Sequence, residues 1–282
     1  MNNFEELEKE NYELVRKYAD LSLGEKEYYY AMIEGKQRGR IFVDNTKSIT
    51  AVLFWHYCGF GFVAGNPDEI FMENVKRMVR KEHEYFLQDT EINQKKFVLQ
   101  QNNDEIGKSL DNHSIEKYLD NDIIKIYLDN DSGIKRSERL YFVMGEIRPD
   151  VLELDKDYEI KVLDENILSR LTGHIIPSFS WASSEDFLKY GKGYCILHGE
   201  DIASCAFSAS VGGGRIDIGI ETNERYQNRG LAKIVANKMI DYAYEIGAQP
   251  VWGCAIENVA SRKTAEGIGF VLAGKHAKYV KS

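Results

Sequence analysis

The stretch DIGIETNERYQNRGLA, residues 217–232, limits what this chain can fold into more than any other part of it. Upstream, Ile216, Ile218 and Ile220 alternate with polar or small residues, the period of a half-buried strand. Downstream, AKIVANKMIDYAYEI repeats its apolar residues at the helical period. The stretch between them reads as a loop that leaves a strand and opens a helix. Such an opening leaves several backbone N–H groups without intrahelical acceptors, aligned with the positive end of the helix dipole. That arrangement suits an anion. Gly230 allows backbone dihedrals that other residues resist and keeps a side chain out of the way, while Ala232 keeps the next turn small. Gln227 and Arg229 add side-chain donors, and Lys233 adds charge.

The residues C-terminal to this helix narrow the possibilities. Gly247 stops it, PVWGCAI reads as a strand, and Asn258 and Ser261 precede a short helix that ends at Gly269-Phe270. The pattern Gln-x-x-Gly-x-Ala after a strand, with this order downstream, resembles the acetyl-CoA pyrophosphate loop of the GNAT acyltransferase superfamily. The resemblance implies an α/β (α+β) fold with a mixed, mostly antiparallel central sheet flanked by helices. It also implies a cofactor site made by Gln227, Asn228, Arg229, Gly230, Leu231 and Ala232, with Asn258 and Ser261 on the pantetheine arm and backbone groups of Ile220, Glu221 and Thr222 pairing with that arm.

At 282 residues the chain can bury about three-quarters of its unfolded surface, enough for two ordinary domains. Its formal charge is −9 and it has no long basic tract, which argues against a nucleic-acid partner. An anionic ligand stays compatible with that charge, because a helix N-terminus is a local field. The acidic start MNNFEELEKENYELV lacks the regions of a signal peptide, and no apolar run approaches the roughly 18 residues of a membrane span. A cytoplasmic protein without a membrane partner is expected. Cys58, Cys195, Cys205 and Cys254 have no metal-ligand spacing and sit in apolar contexts, so buried thiols and no metal are expected.

Taken in order, residues 1–32 read as helical and RIFVDNTKSITAVLFWHYCGFGFVAGNPD as two or three strands. A helix is expected from Glu69 to about Leu87, then QKKFVLQ as a strand, NDEIGKSL as a short helix, and IIKIYL and RLYFVM as strands. After Glu146-Ile147-Arg148-Pro149 the chain restarts. Tyr158–Leu163 is strand-like, ENILSRL helical, SSEDFLKYG a helix capped at Ser183 or Ser184, and GYCILHGEDIASCAFSASVGGGRIDIGIET gives three strands. The two halves repeat one order of elements, so two tandem GNAT-like domains are expected, 1–148 and 149–282. In the first half AGNPD leads into EIFMENVKRM, with no glycine at the helix opening and with bulky Phe71 and Met72 there. That half is read as degenerate.

Trp181 with Glu185-Asp186-Phe187, the segment IGIET, the loop QNRGLA, Trp252 with Cys254, and Asn258-x-x-Ser261 leading to Gly269-Phe270 resemble a subgroup that includes zwittermicin-type self-resistance acetyltransferases. The resemblance implies transfer of an acetyl group from acetyl-CoA to a primary amine of a small molecule by direct attack. A carboxylate or water must then take the ammonium proton. Glu221, at the strand end, is the first candidate base, and an exposed strand-end Glu is the competing reading. Asp217, on the same face parity, is a second carboxylate. Many GNAT enzymes place a Tyr between the Asn and the Gly-Phe to protonate the leaving thiolate, and that position is Ala265 here. Tyr279 is the named substitute, with Ser261 and water as others. Trp181, Phe179 and Trp252 are candidates for an acceptor pocket. The alternative to an enzyme is a pseudoenzyme that binds CoA or its esters to regulate a partner. The N-terminal half is left open as pocket wall, scaffold or homodimer contact.

Overall fold

The computed structural model describes residues 4–22, 24–80, 98–102, 127–129 and 131–281. The segment NDEIGKSL, the far end of the helix expected to reach Leu87, and residues 94–97 of QKKFVLQ lie outside the described residues. In chain order the elements are β1 (Glu5–Glu6), α1 (Arg16–Ala19), α2 (Glu27–Ile33), β2 (Gly39–Val43), β3 (Ala51–His56), β4 (Phe60–Gly65), α3 (Glu69–Val79), β5 (Val98–Asn102) and β6 (Ile134–Met144). They continue with β7 (Glu159–Val162), α4 (Glu165–Arg170), α5 (Ser184–Tyr190), β8 (Gly193–His198), β9 (Asp201–Gly212), β10 (Arg215–Thr222), α6 (Leu231–Glu245), β11 (Gln249–Ala255), α7 (Val259–Glu266) and β12 (Phe270–Lys281). The architecture is a mixed α/β one, mostly antiparallel and flanked by helices, as the sequence led us to expect.

Contacts divide the chain into unit 1, Met1–Arg139 with Gly274–Ser282, and unit 2, Leu140–Ala273. The last nine residues, Gly274–Ser282, thus belong to unit 1. The expected helix over 1–32 is corrected. Glu5–Glu6 pair with β2, residues 9–15 form a 3₁₀ turn, and only α1 and α2 are α-helical. Phe4 stacks on Phe42 with ring centroids 4.8 Å apart, so tertiary pairing overrides local helix preference there. Of IIKIYL, Tyr127 and Leu128 are described, and they are helical, not extended.

In unit 1 the strand order is β1-β2-β3-β4-β5-β12. β4 and β5 are parallel and the other registered neighbours antiparallel. Phe71, Met72, Val75, Met78 and Val79 of α3 recur at three- and four-residue spacing and pack on Leu53, Trp55 and Val63, with Ala277 and Tyr279 of β12 in the same core.

In unit 2 the order is β6-β11-β10-β9-β8-β7. β10 runs parallel to β11 and antiparallel to β9. Ile216 and Ile218 of β10 face Leu231, Ile234, Val235, Met239 and Ile240 of α6 across a dry core. Each such side chain removed from water contributes about 1.5–3 kcal/mol, so β10 and α6 are held as one piece. Ser183 caps α5 by accepting the Asp186 N–H at 3.0 Å, which decides between the two serines. The four cysteines are buried thiols outside any disulfide.

Candidate functional site

β10 and β11 part company early. Their parallel pairing covers Arg215–Asp217 against Gln249–Val251 and stops there. At the same level the register of β10 against β9 shifts between Asp217 and Ile218, leaving Ala209 as the extra residue on β9. A bulge of this kind bends and twists a strand locally. From Ile218 to Thr222, β10 keeps only β9 as a strand neighbour among the described residues. The Glu221 carbonyl accepts the Ser204 hydroxyl at 3.2 Å on the β9 side. Successive peptide groups of a strand alternate sides, so those of Ile220 and Thr222 face the gap.

The loop after β10 is fixed by its own side chains. Asn223 Oδ1 accepts the Arg225 N–H at 3.1 Å and starts a 3₁₀ turn over Glu224–Tyr226. The buried Tyr226 hydroxyl donates to Asp201 Oδ2 at 2.7 Å, tying the loop to the β8–β9 turn. That bond raises the Tyr226 phenol and lowers the Asp201 carboxyl from their ordinary pKa values. Asn228 and Gly230 both have left-handed backbones, φ 61° and 77°. Gly230 is the N-cap of α6 without a side-chain cap, and its carbonyl accepts the N–H groups of Lys233 at 3.0 Å and Ile234 at 3.2 Å. No described residue supplies an acceptor to the N–H groups of Gly230, Leu231 or Ala232, and no acidic residue stands in the first turn. The opening of α6 is therefore an uncapped cluster of donors.

The neighbouring side chains take up other places than the sequence suggested. The Arg229 guanidinium donates to the Tyr158 hydroxyl at 3.0 Å and to the Arg225 carbonyl at 3.1 Å, bracing the loop from outside. The Leu152 side chain lies against Gly230, 2.8 Å from where a Cβ would stand. Asn258 caps α7 through Oδ1, which accepts the Ser261 N–H at 3.0 Å. Ser261 Oγ accepts the Trp252 indole N–H at 2.9 Å, so its own proton is left to give.

Glu221 ends β10 with its carboxylate already engaged. Oε2 accepts the backbone N–H of His174 at 2.9 Å and of Ile175 at 2.7 Å. Asp217 is buried within the sheet. Trp181 and Trp252 are each 2% exposed, and Trp181 donates to the Ser208 carbonyl at 2.8 Å. They belong to the core, the commoner place for single aromatics, and not to an exposed pocket surface. Ala265 is fully buried. Tyr279 belongs to unit 1, fully buried in its core, with its phenol pushed up to about 12 by burial. Burial likewise pushes the Cys205 thiol to about 12 and the Cys195 thiol to about 11, so neither offers a thiolate near neutral pH. Sequence reasoning missed Gly173, His174 and Ile175; their only signal was a glycine between a helix and Pro177.

A sequence model of the GNAT acetyltransferase family matches residues 21–279. YdfB, an uncharacterized N-acetyltransferase of Bacillus subtilis (strain 168), is 34% identical over 130 residues, 45% of this chain and 50% of YdfB. A second, YjdG of the same strain, is 35% identical over 68 residues, 23% of this chain and 40% of its own. These matches therefore span half or less of the curated relatives. A GCN5-related N-acetyltransferase-like protein of Streptococcus suis 89/1591 superposes with a TM-score of 0.67 at 22% identity, over 97% of this chain and 99% of its own. A tandem GNAT protein from the clavulanic acid biosynthesis pathway gives 0.60 at 9% identity, over 98% and 97%. At these identities the structures show a shared fold.

Proposed function

The chain belongs to the GNAT acetyltransferase family and is an acyltransferase, and from that premise we propose that it moves an acetyl group from acetyl-CoA to a primary amine of a small molecule. Acetyl-CoA is the acyl donor of this fold family. The observation that carries the reading is the uncapped opening of α6. Free N–H groups of Gly230, Leu231 and Ala232, at the positive end of a 15-residue helix, suit a pyrophosphate. The side chains of Gln227 and Asn228 border it. The gap edge of β10 at Ile220 and Thr222 offers peptide groups to an extended pantetheine arm, as an added strand would. The Asn258 carboxamide nitrogen and the Ser261 hydroxyl are donors on the opposite side of the gap.

Acetyl-CoA supplies an activated acyl carbon. The amine nitrogen attacks that carbon, the carbon–sulfur bond breaks, and the ammonium proton passes to water at the strand end. We assign to the Ser261 hydroxyl, held as an acceptor by Trp252, a hydrogen bond to the departing thiolate, which takes up the proton released through water. Neither Cys195 nor Cys205 is activated for an acyl-enzyme, which favours direct attack. In this reading unit 1 is the degenerate partner of a tandem pair, akin to zwittermicin-type resistance enzymes. The halves are the domains read as 1–148 and 149–282.

The buried Ala265 where many GNAT enzymes carry a Tyr favours one second reading, a protein that binds CoA without turnover. Calorimetric titration with acetyl-CoA, followed by thiol-release assays on polyamines and aminoglycosides, separates the two. We expect binding and acetylated product. Binding without turnover across the panel would support the second reading, and no binding would remove both.

A further inference from the structure

The carboxylate of Glu221 is the place where a loop distant in sequence is fastened to the splayed strand. Its Oε2 takes two backbone N–H bonds, from His174 and Ile175, at 2.9 and 2.7 Å. Bonds from N–H to an ionised acceptor are among the stronger ones a loop can make. The residue before them is built for the contact. Gly173 has φ +121°, a left-handed backbone, and a Cβ on it would stand 2.6 Å from Glu221 Cγ. The segment joining α4 to the turn at Pro177 is thus pinned at its middle to the end of β10.

We infer that Glu221 is a positioning residue: its carboxylate fastens the 173–175 backbone beside the open end of β10, so that this loop forms the acceptor-side wall of the site. This rests on the acetyltransferase reading for what the wall faces. Oε2 holds the loop, and a proton placed on that oxygen would displace both N–H donors. Glu221 thus acts through the loop it holds, and the proton of the incoming ammonium leaves through water.

Amide hydrogen exchange over residues 172–176, read by mass spectrometry, tests the clamp in wild type, Glu221→Ala, Glu221→Gln and Gly173→Ala. Glu221→Ala should speed exchange at His174 and Ile175 by about tenfold or more. Glu221→Gln keeps an accepting oxygen and should restore slow exchange. Gly173→Ala should open the clamp with the charge intact. Calorimetry with acetyl-CoA should give the wild-type affinity in Gly173→Ala. With spermidine or kanamycin as acceptor, Glu221→Ala and Gly173→Ala should raise the KM for the amine, and Glu221→Gln should rescue it. Unchanged exchange in Glu221→Ala overturns the clamp. Equal collapse of kcat in Ala and Gln at every pH overturns positioning in favour of a base. If wild type binds no acetyl-CoA, the acetyltransferase reading falls, while the exchange rates still decide whether Glu221 holds the loop.

Discussion

α3 in unit 1 and α6 in unit 2 both come after a strand and pack an apolar face on their own sheet, yet their first turns are finished in opposite ways. At α3, Asp68 accepts the Phe71 N–H at 2.8 Å and Glu69 adds a second negative charge, so the dipole is answered from within the chain. Phe71 and Met72 fill the next positions and are fully buried. At α6 the cap is a left-handed glycine, the first turn has no acid, and the donors have no partner among the described residues. The same difference extends through the units. Unit 1 turns its charges inward, with Glu25 fully buried against the Arg139 guanidinium at 2.9 Å and His276 at 3.3 Å. A helix N-terminus becomes available to a ligand only where the chain declines to satisfy it.

The largest effect should come from breaking the inward half of that contrast. Burial alone would raise the Glu25 carboxyl, but the Arg139 charge and the His276 hydrogen bond outweigh it and hold the group at about 2, against an ordinary 4.5. Because the folded value is depressed, its stabilisation is complete above about pH 4.5 and is lost as pH falls through about 2. The linkage is worth about 3 kcal/mol. Glu25→Gln leaves Arg139 buried without its counter-charge, and we expect unit 1 to lose about 3–5 kcal/mol at pH 7. Urea unfolding at pH 7 and pH 3 checks this. The gap between the two pH values should shrink in the variant, and an unchanged pH 7 midpoint would refute the assignment.

Next in size is the outward half. Gly230→Glu forces φ 77° on a residue with a side chain, drives its Cβ against Leu152, and puts a carboxylate at the positive end of α6. The side chain and negative charge placed at this opening act on the ligand directly, and a loss of about 1.4–2.8 kcal/mol of binding corresponds to roughly 10- to 100-fold in affinity. Acetyl-CoA binding by calorimetry should fall at least that far. Gly230→Ala, which adds strain without charge, should sit between it and wild type. Wild-type affinity in the Glu variant would mean that the α6 opening is not where the ligand binds.

How much of this was legible depends on how local each signal is. The alternation at Ile216, Ile218 and Ile220, the glycine at 230 and the helical period after it are neighbours in sequence, and the strand, loop and helix result from them. The same holds for the Ser183 cap and the turn at Gly199. Contacts between distant residues leave no period to read. Glu221 meets His174 47 positions away, and the alternation in β10 says only that the carboxylate is on one face. Trp252 looked like pocket lining because nothing in its neighbourhood announces that its indole is bonded to Ser261. Nor does anything local announce that β12 runs from unit 2 into unit 1, where Tyr279 is buried in the core.

The smallest effect asks whether the missing cap is sufficient by itself. Asp68→Gly gives α3 the same kind of cap residue as α6, and glycine at an N-cap costs only a few tenths of a kcal/mol relative to aspartate. Thermal unfolding should therefore shift by little. If an unsatisfied dipole were all that a pyrophosphate needs, the variant would gain a second acetyl-CoA site. We expect none, because Glu69 keeps its negative charge in the first turn and the buried ring of Phe71 and thioether of Met72 fix the helix against its sheet. Titration is best done in a Gly230→Glu background, where unit 2 is silent. Heat of binding there would show that capping alone separates the two helices. Its absence would show that a first turn without an acid, Leu231-Ala232-Lys233 in α6 against one that starts with Glu69 in α3, matters as well as the free donors.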